Sequence, residues 1–393
     1  MTDTLVAEGY VDAALGGDKW SGIPLTTGQF YLQKRENGEL TTDILEEAED
    51  WMDEIWWSGF LQFRTNRLDE LDGDSYATAI DKYIDRWNLD DDESLQFLNF
   101  MEDASEIEYT GDSSQLDIEQ INFFPPDSNV ATHYTSIPGL GFGNIAAKYA
   151  APFASKIKLN AKVSEINSEE DGETTIVKYV ENGVDKAVKA KTVLVTASLG
   201  VLKAGTIGFV PSLPDYKQES IDKMGFGVVN KCMMSWDDNE DLVWPADDLW
   251  FFLITPDDET SGQWTTFYNP SKFKGIPALT AWVGGDEALA VESQTDDEIL
   301  RDVMKNLKAM FPSIREPDRI VISRWGQDEN IRGTYSFPIN GRDFYDDADN
   351  LSKREGRVWF AGEATGYGWG TTVGAWNTGE EAALAMARTL ESV

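Results

Sequence analysis

The chain has 393 residues, room for two or three domains or for one large interleaved body. Its residues are 41% hydrophobic and 12% aromatic, with 14 Trp, which excludes collagen-like, disordered and disulfide-scaffold classes. Seventy acidic against 33 basic residues leave a net charge of −37, which excludes a nucleic-acid partner; such a surface keeps a protein solvated and also draws a cationic substrate.

The opening segment MTDTLVAEGYVDAALGGDKW is acidic and lacks the basic, then apolar, order of a signal peptide. No run of about 18 apolar residues follows, so a soluble protein without a membrane span is expected, cytoplasmic by default. Asp43 with Glu46 reads as a capping box ahead of Leu45, Ala48, Met52, Ile55 and Trp56 at helical spacing. Tyr76, Ile80, Tyr83, Ile84 and Trp87 repeat the pattern, and Leu95, Leu98 and Met101 form a third segment, so residues 43–105 read as a helical block with an aromatic core face. Inside it, LDELDGDSYATA places Gly73 among acids as a calcium loop does. Positions one and twelve would then be Leu68 and Ala79, neither of which binds calcium through its side chain, and the reading fails.

One Cys (Cys232) and one His (His133) close several mechanisms. No intrachain disulfide exists, a Cys/His zinc site lacks ligands, and a Ser-His-acid hydrolase would depend on His133 alone. No metal is expected.

From Ile157 the texture becomes β-like: IKLNAKVSEI, TTIVKYV and KTVLVTAS, later VVNKCMMSW, LWFFLIT, ALTAWVG and IVISRW, with a helix at Asp296–Met310. The end reads as strand (Val358 to Ala361), Gly-rich turn, then a helix with small residues Ala375, Gly379 and Ala382 on one face. Such a helix either packs tightly on a sheet with no ligand or presents its first N–H groups, near Thr371 and Thr372, to an anion.

FAGEATGYGWGTTVGAWNTG resembles the closing flavin-contacting motif of the FAD-dependent amine oxidases. VTASLGVLKAGTIGFVPSLPDYKQESIDKMGFGVVNK is similar to that family's mid-chain segment, and RWGQDENIRGTYSF to its Trp-containing strand and loop. From about Gly139 to the end, the order and spacing resemble the polyamine oxidase branch.

The resemblance implies FAD as cofactor, an amine or polyamine as substrate and oxygen as electron acceptor. It implies that Lys231 addresses flavin N5 through a water, a task suited to a desolvated ammonium. It places the Thr372 N–H on the flavin pyrimidine, where a helix N-terminus stabilises charge formed on reduction. Gly362 and Glu363 fall in the FAGE turn beside the ribityl and diphosphate region, Val163 offers main-chain groups to the adenine, and Trp325 walls the flavin pocket. Tyr335 stands where the family has an aromatic beside the flavin face, and Thr371 holds the position of the usual second aromatic.

One departure stands out. Family members open with a strand, G-x-G-x-x-G and a helix that seat the pyrophosphate, and no such signature opens this sequence. Gly139, Gly141 and Gly143 have the wrong spacing and precede a helix of barely two turns ending near Pro152. The expected fold class is therefore α/β plus α+β: an incomplete, Rossmann-like FAD-binding domain, split and interleaved with a substrate domain of helices and a mixed sheet. The expected divisions are 1–135 (mainly helical substrate part), 136–212 (FAD-binding part), 213–355 (substrate sheet and helices) and 356–393 (FAD-binding strand-turn-helix). The expected activity is amine oxidation by hydride transfer to FAD, giving an imine or aldehyde and hydrogen peroxide. An inactive, amine-oxidase-like fragment with a binding role is the alternative. A glycoside hydrolase with paired carboxylates suits the composition but accounts for none of the ordered motifs.

Overall fold

The structure is a computed structural model and describes residues 11–12, 28–36, 39–46, 48–121, 135–136, 141–168, 173–237, 242–256, 263–271 and 277–391. In chain order its strands are β1 (Val11–Asp12), β2 (Gly28–Glu36), β3 (Glu39–Ile44), β4 (Thr135–Ser136), β5 (Ala161–Asn167), β6 (Thr175–Glu181), β7 (Val184–Ala190), β8 (Val193–Val195) and β9 (Gly208–Val210). They continue with β10 (Gly225–Phe226), β11 (Asn230–Ser235), β12 (Trp250–Ile254), β13 (Thr266–Tyr268), β14 (Ala278–Val283), β15 (Arg319–Ile322), β16 (Ser336–Phe337) and β17 (Val358–Phe360).

The larger body is a mixed seven-stranded sheet in the order β15-β11-β14-β13-β12-β2-β3, antiparallel except where β12 runs parallel to β2. Its strands show why: β12 is WFFLI, apolar at every position and buried at every position, as a strand covered on both faces must be. β14 alternates buried and half-buried side chains. One face packs on helices Tyr76–Trp87 and Asp92–Tyr109 through Phe30, Phe100, Phe252 and Trp250. The other packs on Asp296–Met310 through Phe251, Phe267, Leu279 and Leu307. Helix ends follow local chemistry. Ser75 Oγ accepts the Thr78 N–H at 3.2 Å, Asp91 accepts from Ser94 at 2.8 Å, and Thr295 with Glu298 forms a full capping box.

The smaller body joins the parallel pair β8–β17 and the sheet β7-β6-β5-β9 to helices Leu199–Lys203, Asp215–Lys223 and Phe344–Ser352. The fully buried Lys217 Nζ donates to the carbonyls of Asn350, Leu351 and Lys353 at 2.7–2.8 Å, tying off the end of Phe344–Ser352. The chain passes repeatedly between the bodies, which makes the expected class, α/β plus α+β with interleaved parts, the observed one. Residue 227 must be Gly here. A Cβ would lie 1.9 Å from the Thr110 carbonyl oxygen, so helix Asp92–Tyr109 can press against the chain entering β11.

Three expectations are corrected. Asp43 lies inside β3 rather than capping a helix, because pairing with β2 (Leu32 opposite Asp43) claims its backbone; the helix begins at Ala48. Strand structure begins before Ile157, at β2 and β3, whose mixed polar sequences GQFYLQKRE and ELTTDI hide a strand that is half-solvated. The aromatic stripe Met52–Leu61 forms a π-helical stretch rather than a regular α-helix, with Trp56 and Phe60 stacked at 5.1 Å.

Candidate functional site

β8 and β17 run parallel, and their C-terminal ends open on a cavity of about 200 Å³ lined by Val195, Ala197, Phe226, Gly362, Glu363 and Ala375. The C-terminal edge of parallel strands is where ligands bind in such sheets. Gly362 has φ +148°, a conformation that L side chains rarely adopt, and open space where a Cβ would stand. Its N–H donates to Thr378 Oγ1 at 3.1 Å, so the C-terminal helix Thr372–Glu391 holds the turn from nearly two turns inside its own length.

Glu363 ties this turn to its surroundings. Its Oε2 accepts from Ser336 Oγ at 2.7 Å and from the Gly370 N–H at 2.8 Å. Burial pushes its carboxyl above the ordinary carboxylate range, and these donors pull it back. The next residues, GTT, start the helix: Thr371 Oγ1 accepts the Gly374 N–H at 2.9 Å, and the Thr371 carbonyl accepts the Ala375 N–H at 3.1 Å. The N–H groups of Thr372 and Val373 stand outside that cap, at the positive end of a 20-residue helix. The Tyr335 ring lies against Gly370, where an added Cβ would meet it at 3.0 Å, and its hydroxyl donates to the Glu108 carbonyl at 2.7 Å. Burial raises that phenol well above its ordinary value.

A second group forms around β11. Lys231 Nζ lies 3.7 Å from the centre of the Trp282 ring across the β11–β14 pair, and no carboxylate within 4 Å is found for it among the described residues. Burial alone lowers its pKa. Asn230, which is fully buried, fixes this lysine and Trp325 together. Its Oδ1 accepts from Ser323 Oγ (3.0 Å) and the Trp325 N–H (3.2 Å), and its Nδ2 donates to the Ala288 carbonyl (3.0 Å) and Glu292 Oε1 (2.8 Å). Every hydrogen-bonding position of the amide is used. Ser323 Oγ also accepts the Lys231 N–H at 2.8 Å.

Thus Tyr335, Gly362, Glu363, Thr371 and Thr372 come together at the glycine turn, and Lys231 comes together with Trp325. The two groups are joined where Thr334 Oγ1 accepts the Val229 N–H and the Thr334 N–H donates to the Gly227 carbonyl, both at 2.8 Å. Val163 stands apart on β5. Its strand pairs with β9 only from Glu165 onward, and a register shift follows Val163 on the β6 side. His133 and Gly139 lie outside the described residues; Gly141 and Gly143 fall in helix Gly141–Ala150. Sequence reasoning missed Asn230, Ser323, Trp282 and Thr378. An Asn among the apolar neighbours of VVNKCMM was the available signal, since a buried amide needs partners.

The model of a family described as flavin containing amine oxidoreductase matches residues 70–387, which takes in helices Tyr76–Trp87 and Asp92–Tyr109 as well as the segments after Gly139. Histone demethylase-like protein A of Aspergillus fumigatus is 34% identical over 232 residues, 55% of this chain and 21% of that one. Polyamine oxidase 4 of Oryza sativa subsp. japonica is 33% identical over 58% of this chain and 44% of its own length, and polyamine oxidase 2 of Arabidopsis thaliana is 34% identical over 52% and 40%. The chain thus spans less than half the length of these curated relatives. A solved structure of putrescine oxidase bound to putrescine has the same fold, with a TM-score of 0.70 at 17% identity, over 98% of this chain and 85% of that one.

Proposed function

The chain belongs to the flavin containing amine oxidoreductase family, whose cofactor here is FAD, and from that premise we propose that it oxidises an amine, preferably a polyamine. FAD, held at the glycine turn and the start of helix Thr372–Glu391, would supply the hydride acceptor for the carbon next to the nitrogen; with loss of the N–H proton this would give an imine that hydrolyses to an aldehyde, with oxygen reduced to hydrogen peroxide as the electrons leave. The alternative, a catalytically inactive chain with a binding role, shares the fold and differs only in this chemistry.

The residues fit the ring end of FAD. Gly362 offers open space on a backbone that few L residues adopt, and the neighbouring helix start offers the N–H groups of Thr372 and Val373. FAD, when bound, supplies the two-electron acceptor that no side chain provides. The helix N-terminus would stabilise negative charge at whatever atoms it touches. Ser336 Oγ and the Gly370 N–H both occupy Oε2 of Glu363, which holds the glycine turn in shape. Tyr335, packed beside Gly370 with its hydroxyl already anchored to helix Asp92–Tyr109, and Trp325, held by Asn230, would border the ring once FAD is bound.

Lys231 is the observation that carries the reading. A half-buried ammonium with no carboxylate within 4 Å among the described residues, lowered in pKa by burial and pinned over Trp282, can hold a water in place and hand on a proton more readily than an exposed lysine. As a strand-edge solubilising charge it would face solvent instead. The excess of acid over base gives the surface a field that concentrates cationic amines.

The test is the visible spectrum of the purified chain loaded with FAD, then mixed with spermine without oxygen. Flavin bands that bleach with spermine, and return with peroxide when air is admitted, are expected. A chain that takes up no FAD, or holds FAD that spermine leaves oxidised, removes the oxidase reading and leaves the binding role. In the active protein Lys231→Met slows flavin reduction or reoxidation; unchanged rates in both would take Lys231 out of the mechanism.

A further inference from the structure

Lys231 and Trp282 stand directly opposite each other on β11 and β14, so their side chains rise from one face of the sheet, the face that packs on helix Asp92–Tyr109. The row continues through Thr266 and Phe252, which carry no charge. Lys231 Nζ sits 3.7 Å from the centre of the Trp282 ring, well inside the range of about 6 Å over which an ammonium is drawn to an indole face. The indole N–H plays no part in holding the ring. Trp282 Nε1 is shut off from solvent and has no hydrogen-bond partner, and a buried unpaired donor costs stability. Packing holds the ring instead, with the Trp250 ring 5.9 Å away at 55°. An aliphatic side chain would fill this wall without the unpaired donor. What the indole adds is its face, and the group on that face is Lys231.

Charged groups on the surrounding elements are engaged elsewhere. After β15, Arg324 pairs with Asp296 at 2.8 Å and donates to the Gln294 carbonyl. In the next row of the same face, burial pushes the Tyr268 phenol up to about 12, so it stays neutral. On helix Asp92–Tyr109, Glu102 and Glu106 bond Ser113, and Glu108 acts on Tyr109 and Tyr335. Glu292 is bonded to Asn230. None of these groups acts on Lys231, whose pKa is lowered by burial. The ring is therefore the feature of its surroundings that favours the charged form.

We infer that Trp282 is a positioning residue for Lys231: the indole face fixes the lysine side chain above β14 and keeps it in the charged, donor form. What the ammonium does there rests on the oxidase reading; how it is held does not. The attraction exists only while the nitrogen is charged, so removing the ring weakens the hold of Lys231 on its proton. A ring that served only as a wall would leave that hold unchanged.

The experiment uses the full chain with ¹³C at the lysine Cε atoms and follows the Lys231 signal against pH by NMR without FAD, that signal being the one missing from Lys231→Met. Trp282→Leu is expected to titrate about one pH unit lower than the unmutated chain, a roughly tenfold weaker hold on the proton. Trp282→Phe, which keeps a weaker ring face, should fall less than half as far. Equal midpoints in the three chains, or a midpoint that Trp282→Leu raises as water enters, overturns the inference. Where Trp282→Leu fails to fold, Trp282→Met supplies the ring-free measurement. In the FAD-loaded chain, the pH profile of the flavin step that Lys231→Met slows should move down by the same interval in Trp282→Leu and return in part in Trp282→Phe. A slower step with an unmoved profile overturns the inference. A chain that takes up no FAD, or whose FAD spermine leaves oxidised, defeats the oxidase reading, and the titration then decides the role of Trp282 without it.

Discussion

The seven-stranded sheet and the β8–β17 pair are both built from apolar strands, yet they are covered very differently. Every side chain of β12 is buried, and helices pack on both faces of its sheet. The helix over β17, Thr372–Glu391, shows much of its apolar surface instead: Val373 is 47% exposed and Leu384 53%. Parallel strands are ordinarily covered on both sides. Stability is therefore concentrated in the body that holds Lys231, while the body with the open glycine turn is left available to a ligand. An enzyme that takes up a large cofactor gains from that division, because binding then adds order where the chain alone has least.

The comparison breaks if the sheet body proves soft. Phe267→Ala removes a fully buried ring between β12 and β14 and is expected to cost about 3–5 kcal/mol, enough to unfold much of the protein at ambient temperature, as read by denaturant melting. A loss under 1 kcal/mol would show that the sheet is not the stable half. Asn230→Leu keeps the branched shape but strands Glu292, Ser323 and the Trp325 N–H. Its expected cost is about 2–4 kcal/mol, and it should blue-shift or quench Trp325 fluorescence less than it disturbs Lys231 chemistry. Reaction with amine at wild-type rates in a stable Asn230→Leu chain would mean that the hub does not position Lys231.

Acid in the sheet body gives a sharper, smaller test. Burial pushes the Glu106 carboxyl up to about 7, against a backbone bond from Ser113, while an unfolded Glu titrates near 4.5. Between those values the folded state holds more protons than the unfolded one, so this group's share of stability is present at pH 4.5 and below and is lost as pH rises through 7. Glu106→Gln retains an acceptor for Ser113 and cannot ionise. The two proteins should melt alike near pH 4.5, and the variant should be more stable above pH 7 by on the order of 2 kcal/mol. Parallel melting curves across that range would mean that Glu106 is solvated.

Much of this organisation was readable from residues. The helix at Asp296–Met310 was readable between two strand candidates, and the structure adds its Thr295–Glu298 capping box; LWFFLIT, read as a strand, is one, with WFFLI buried at every position. β2 and β3 were not readable, because GQFYLQKRE carries more polar than apolar side chains and draws its strand state from pairing with β12, more than 200 residues away. At the site, the glycine turn and Lys231 could be found from local sequence. Asn230, Ser323 and Glu292 could not, since their importance arises from hydrogen bonds between residues 34 to 93 positions apart.

The smallest expected effect is the most direct probe of the open helix. Leu384→Gln replaces a half-exposed apolar side chain with one of similar helix propensity, so neither burial nor backbone preference should change much, and the cost should stay within about 0.5 kcal/mol. The same substitution measured with FAD loaded separates two situations. An unchanged value means that the cofactor touches only the start of the helix, near Thr372 and Val373, and leaves residue 384, three turns further on, in water. A cost above about 1.5 kcal/mol in the absence of FAD would mean that this face is covered in solution, by another chain or by another part of this one, and the contrast between the two bodies would then disappear.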